Sequence, residues 1–121
     1  MFTRKENSTN HHNEIYLKNN CGLSVTLAMI GARWKINIMA NLLDGQKLRY
    51  SELKEKLTGI SERVLSAKLK ELENDHLIER VEYGGFPPKV EYSLTEKGNS
   101  LKEILDSMKN WGNQQAKEEE T

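Results

Sequence analysis

The sequence predicts a mainly α-helical domain that carries one small β-hairpin (an α+β arrangement). Three observations point there. Apolar residues recur at helical spacing in successive stretches between residues 33 and 74. The period then changes to strict alternation on either side of a Gly-Gly-Phe-Pro-Pro loop. A helical apolar stripe returns after Thr95.

Taken in order, residues 1–20 are polar and nearly aperiodic, which predicts a mobile N-terminal arm. His11 and His12 are adjacent in it, so they share no helix face, and no metal-ligand partners lie nearby. Residues 23–30, LSVTLAMI, suit either strand or helix, and Gly31 closes them. Trp34, Ile38, Met39 and Leu42 set a helix over 33–43, which Asp44-Gly45 stops. Tyr50, Leu53 and Leu57 set a shorter helix that starts near Arg49 or Ser51. Thr58-Gly59 makes a tight connection, and Ser61 caps a third helix that runs to about Asn74 or Asp75. Two helices joined by a short Gly-containing turn have the spacing of a helix-turn-helix.

Residues 78–83 and 89–94 alternate as strands, and the loop at 84–88 can be neither strand nor helix. Thr95 caps the last helix, whose stripe is Leu101, Ile104, Leu105, Met108 and Trp111. The order is helix, helix, helix, hairpin, helix, and a helix-turn-helix followed directly by a hairpin is a winged helix. The expected organisation is an arm over 1–20, a folded domain over 21–112 and an acidic, frayed tail over 113–121.

The 121 residues suit one domain with a lean core, at 36% hydrophobic and 30% charged. No apolar run is long enough to span a bilayer, and no secretory leader is visible. A single cysteine excludes an internal disulfide framework and points to a reducing cytoplasm. Net charge is zero, from 18 basic and 18 acidic residues, but it is unevenly spread. Residues 33–70 hold nine basic residues against four acidic, while residues 71–121 hold six against twelve. A basic module inside a balanced chain is what a polyanion-binding segment leaves in a sequence.

The sharpest feature is the helix of 60–73, ISERVLSAKLKELE. At about 100° per residue, Val64, Leu65, Leu69 and Leu72 gather on one side. The opposite side carries Arg63, Ser66, Ala67, Lys70 and Asn74, with Glu62, Glu71 and Glu73 only at its flanks. A helix built only for solubility mixes signs across its outer face. An arginine offers a fork to guanine or phosphate, serine and alanine permit close approach, and lysine suits a phosphate. Double-stranded DNA is therefore the expected partner, read by Arg63 and Ser66, with Ser61 and Lys70 on the backbone. Arg49 and Ser51, on the preceding helix, and Lys89, on the hairpin, are the flanking candidates, alongside Lys47; Tyr50, beside them, is expected to face the core with its hydroxyl reaching water. Arg80 and Lys89 are opposed by Glu82 and Glu91, which makes the hairpin the weaker DNA candidate.

With these elements in place, the chain resembles the HxlR-type winged-helix transcription regulators, relatives of the MarR group. The matching segments are Cys21, IGARWKINIMANLLDG at 30–45, RYSELKEKLTGIS at 49–61, LSAKLKELE at 65–73, PPKVEYSLTEKG at 87–98 and the final Trp111-Gly112. The resemblance implies a homodimer on a pseudo-palindromic operator, acting as repressor or activator. By carry-over, Ser61, Arg63, Ser66 and Lys70 lie on the recognition helix. It further implies dimer contacts from the first and last helices, with Leu101, Leu105, Met108 and Trp111 facing the partner; the alternative is that they fill the chain's own core, and the two readings can share residues. Many members sense quinones, aldehydes or oxidants through a cysteine at the position of Cys21, which makes this residue the sensor candidate. Three positions depart from the pattern. Gly22 replaces a common Pro, Ala32 a common Gly, and His76 a usual Gly at a site expected to be left-handed.

A winged helix that binds protein instead of DNA would share this fold. Enzyme function is not expected: three histidines and one cysteine form no nucleophile–base or metal-ligand constellation, and no glycine loop suits a phosphate. No cofactor, metal or membrane partner is implied.

Overall fold

The computed structural model describes residues 21–119. The predicted N-terminal arm, with His11 and His12, lies outside the described residues. The elements are α1 (Gly22–Ile30), α2 (Arg33–Asn41), α3 (Tyr50–Lys56), α4 (Glu62–Asn74), β1 (Ile78–Tyr83), β2 (Lys89–Leu94), α5 (Glu96–Asn99) and α6 (Lys102–Glu119).

The stretch that suited either strand or helix is α1. Its first turn closes when the Val25 N–H donates to the Cys21 carbonyl at 3.0 Å. α2 ends at Asn41 rather than at Leu43, and left-handed residues at Asp44 (φ 62°) and Gly45 (φ 76°) turn the chain away. Ser61 caps α4 as expected, its hydroxyl accepting the Val64 N–H at 3.1 Å. Gly59, at φ 91°, supplies the left-handed turn between α3 and α4.

The hairpin falls on the predicted residues, pairing Ile78 with Leu94 and Tyr83 with Lys89. Leu48 and Tyr92 exchange both backbone hydrogen bonds, at 3.0 and 2.8 Å, which fastens the hairpin to the segment before α3. Because directly opposed residues share a face, Ile78, Tyr92 and Leu94 lie on the core side. Val81 and Tyr83 lie on the other side, where Tyr83 is partly exposed and its ring lies 5.3 Å from the Lys89 ammonium.

One core joins these elements. Ile38, Met39 and Leu42 of α2 pack with Leu53 of α3, Leu65, Leu69 and Leu72 of α4, and Leu77, Ile78, Tyr92 and Leu94 around the hairpin. Burial of each such side chain contributes about 1.5–3 kcal/mol. One expectation about the C-terminal region is corrected. The last helix is not one piece: α5 ends at Asn99, and Leu101 makes an i−3 bond to Gly98 before α6 starts. The bend swings Leu101 against the core and Leu105 into it. α6 continues past 113, where the tail was expected to begin, to Glu119. No Pro interrupts this stretch, and Gln114 hydrogen-bonds Glu118 one turn on.

Gly98 fixes where α5 sits. A Cβ there would lie 2.1 Å from the Leu77 carbonyl oxygen and 3.1 Å from Leu94 Cδ2. The Thr95 hydroxyl reinforces the joint, accepting the Gly98 N–H at 3.0 Å and donating to the His76 carbonyl at 2.6 Å. Gly98→Ala should therefore lower folding stability by about 1–3 kcal/mol, the usual cost of overpacking. Urea melts check this, and an unchanged midpoint would mean that the Leu77 carbonyl yields.

Candidate nucleic-acid interface

α4 is dry on one side and open on the other. Leu65, Leu69 and Leu72 are buried, while Ser61, Arg63, Ser66, Ala67, Lys70 and Asn74 are exposed. The wheel read from sequence is thus the face that the fold presents. No acid interrupts the exposed stripe at its centre, and Arg63 and Lys70 have no ion-pair partner among the described residues.

The acids of α4 are disposed of at its edges. Glu71 is drawn inward by Lys35, at 3.1 Å, with Lys68 at 3.5 Å. Lys35 is only 3% exposed, and a lysine buried to that degree needs such a partner. The signal for this pair was in the sequence: Lys35, Ile38, Met39 and Leu42 follow the spacing of one helix face. At the C-cap, Asp75 is also buried, with Oδ2 lacking a hydrogen bond among the described residues. Burial raises the pKa of this carboxyl above its ordinary value, against the opposing pull of Lys35 and Lys97. His76 follows it at φ 61°, the left-handed conformation expected at that position.

The other end of α4 is held by a residue whose part in the site sequence reasoning missed. Tyr50 packs its ring against the core, but its hydroxyl does not simply meet water. It donates to the Glu62 carbonyl at 3.0 Å and lies 3.2 Å from the Ser66 hydroxyl. Tyr50 is thus a strut from the start of α3 to the first turns of α4. The contact links residues far apart in sequence, so no local pattern encodes it. Ser66 keeps acceptor capacity after this bond, since a hydroxyl has two lone pairs.

Among the flanking candidates, Arg49 and Ser51 are exposed at the start of α3. The Arg49 N–H is held by the Glu52 carboxylate at 2.8 Å, which fixes the helix start. The hairpin differs. Lys89 lies 3.5 Å from Glu91 and faces the Tyr83 ring, and Arg80 is paired with Glu82 at 2.6 Å. Both hairpin cations are therefore engaged within the hairpin. Its tip instead presents Phe86, 99% exposed.

The four residues expected to face a partner separate. Leu105 is 4% exposed and fills the chain's own core, so it is not available to a second subunit. Leu101 is half-buried against that core. Met108 and Trp111 are exposed, Trp111 by 70%, together with Ile104 on α6 and Leu23 and Leu27 on α1. Cys21 is exposed at the N-cap of α1. Hydrogen bonds from the Ser24 side chain and backbone lower its pKa below the ordinary thiol value, outweighing a small opposing effect of burial.

Among the described residues no cluster of His, Cys, Asp or Glu could hold a metal ion. No helix among them is long and apolar enough to cross a membrane.

Known proteins share this arrangement. The HxlR-like helix-turn-helix family matches residues 29–120. The chain is similar to MalR, a proposed regulatory protein of Fusobacterium mortiferum, at 50% identity over 95 residues, covering 78% of this chain and 90% of that one. It is 45% identical over 95 residues to YtcD, an uncharacterized HTH-type transcriptional regulator of Bacillus subtilis, covering 78% and 75%. Among solved structures, the redox regulator HypR in its oxidized form superposes with a TM-score of 0.74 at 41% identity, covering 78% of this chain and 96% of that one. The chain therefore belongs to the HxlR-like helix-turn-helix family, and it is a DNA-binding transcriptional regulator rather than an enzyme.

Proposed function

We propose that the chain acts as a homodimer that reads a pseudo-palindromic operator through α4 and responds to electrophiles or oxidants through Cys21. The observation that carries the operator reading is the exposed stripe of α4, which is acid-free at its centre and held at its first turns by Tyr50. Arg63 and Ser66 read bases. Ser61, at the capped helix start, and Lys70 meet phosphates, with Arg49 and Ser51 on the adjoining backbone. Lys89 is the weakest contact, because it leaves Glu91 to reach a phosphate. A dimer covers two half-sites about 34–36 Å apart.

Exposed Leu23, Leu27, Ile104, Met108 and Trp111 support dimerisation through α1 and α6, with Leu101 at the edge. Sensing is supported by an exposed thiol whose ionisation is favoured by its hydrogen bonds, and by the similarity to a redox regulator. Cys21 thiolate can attack an electrophilic carbon to form a thioether. Alternatively, two Cys21 thiolates of a dimer can form one disulfide while passing two electrons to the oxidant.

Arg63→Ala should weaken binding to the chain's own promoter DNA and relax base preference, measured by fluorescence anisotropy against random DNA. Equal losses on both would remove Arg63 from base reading. Lys70→Ala should lower the magnitude of the log–log salt slope by about 0.9, the loss of one phosphate contact. An unchanged slope excludes that contact.

Tyr50→Phe removes two hydrogen bonds and no packing, so it should cost about 1 kcal/mol in stability and a severalfold loss in operator affinity. Affinity preserved at full strength would show that the strut does not position α4.

Cys21→Ser should bind the operator normally but no longer respond to a quinone or to diamide. A retained response would place sensing elsewhere.

A further inference from the structure

One groove has no place in this reading. It lies between α2 and the joint that follows α3, an open surface groove of about 470 Å³ with a mainly polar lining. Arg33, Trp34, Asn37 and Asn41 line one wall, and Lys56 and Thr58 close the other. No carboxylate lines it. Among the described residues neither Arg33 nor Lys56 has an ion-pair partner, so two like charges share one hollow with nothing to neutralise them. This differs from the smaller hollow between α1 and Leu101, whose walls are mostly Val25, Met29, Ile30 and Leu77.

The groove is also organised. The Arg33 guanidinium lies 4.7 Å over the Trp34 ring, which holds the fork in place. Asn41 donates to the Asn37 carbonyl at 2.9 Å, which fixes its amide. The Asn37 amide and the Thr58 hydroxyl add neutral hydrogen-bonding groups beside the two cations. A dianion with three or more acceptor oxygens satisfies two cations and two neutral donors better than a carboxylate with two oxygens does.

We propose that this groove binds the phosphate group of a small phosphorylated ligand, held by Arg33 and Lys56 with Asn37 and Thr58 as neutral donors. Its position couples it to α4. Lys56 and Thr58 flank Leu57, which is buried, and Gly59 and Ser61 follow directly as the turn and cap of α4. An occupant that ties Lys56 and Thr58 to α2 restrains the joint on which α4 enters. Neither Cys21 nor any residue of the exposed α4 stripe lines the groove.

The test is a titration of the ¹⁵N-labelled full chain with pyrophosphate, and separately with inorganic phosphate, at constant ionic strength. Saturable amide shifts centred on Asn37, Lys56 and Thr58 are expected. Lys56→Gln should weaken binding about tenfold, the loss of one charge-assisted bond. Arg33→Lys, which keeps the charge but loses the fork, should weaken it severalfold, and Arg63→Gln should leave it unchanged. Thermal melts confirm that each variant is folded. Shifts that do not saturate, that centre on Arg63 and Lys70, or that persist unchanged in Lys56→Gln overturn the proposal. Lys56→Gln should also leave the salt slope of DNA binding unaltered. A slope reduced by about 0.9 would assign the groove to the DNA backbone and overturn the small-ligand site.

Discussion

The structure depends on holding α4 from one side only. Leu65, Leu69 and Leu72 supply that grip, set into the α2 residues Ile38, Met39 and Leu42. Nothing can be added on the opposite face without covering it, so further restraint has to come from the ends and flanks. Tyr50 supplies it at the first turns, through the Glu62 carbonyl and the Ser66 hydroxyl. Lys35 supplies it near the last turn, through Glu71. A helix fixed along its back and at both ends can leave most of its front, Arg63 and Lys70 included, without an ion-pair partner among the described residues and still be rigid. Rigidity matters because groove contacts tolerate little misplacement, and a front surface that must stay bare cannot contribute its own.

The restraint at the C-terminal end uses groups that are costly to bury. Taking Lys35 out of water carries a desolvation penalty that its attraction to Glu71 offsets only in good geometry. Removing either partner is then worse than never having had the pair, so the junction is specific even if it adds little stability. Asp75 sits in the same region with one oxygen unsatisfied among the described residues. Because burial raises its folded pKa, the native state holds the proton more tightly than the unfolded chain does. Its contribution to stability is fully present below the unfolded value and is lost as pH rises through the raised folded value. The carboxyl is therefore a cost at neutral pH, moderated by Lys35 and Lys97. Lys97 also donates to the Asp75 carbonyl at 2.9 Å, which helps to close the end of α4.

The fold was largely legible because its elements are locally encoded. Ser61 as a cap, the 78–83 and 89–94 alternation and the Asp44-Gly45 stop each depend on a few adjacent residues, and each is where the pattern put it. What escaped was tertiary. The break before Leu101 lies beside Gly98, which passes so close to the Leu77 carbonyl that a side chain there would not fit, an approach across the hairpin. Leu105 reads as one of five equivalent stripe residues until that bend turns it into the core while Trp111 stays out. The exposed residues of α4 were legible for the same reason as its core stripe: both follow from one helical period. The Tyr50 strut was not, because an aromatic at core spacing gives no hint of where its hydroxyl ends.

The distribution of ion pairs separates the two parts of the winged helix more sharply than composition does. In the hairpin Arg80 and Lys89 are each paired with a neighbouring glutamate, and near the start of α6 Lys102 is paired with both Asp44 and Asp106. In the helix-turn-helix, Lys47, Arg49, Arg63 and Lys70 have no such partner among the described residues. A cation already paired must give up that partner to meet a phosphate, so its net gain is small; an unpaired one gains the whole interaction. A chain with zero net charge can therefore present a positive surface by pairing its cations wherever they are not wanted. On this account the acidic C-terminal half is part of the device. It neutralises the protein as a whole, which limits indiscriminate attraction to polyanions, and leaves the uncompensated charge on the helix-turn-helix.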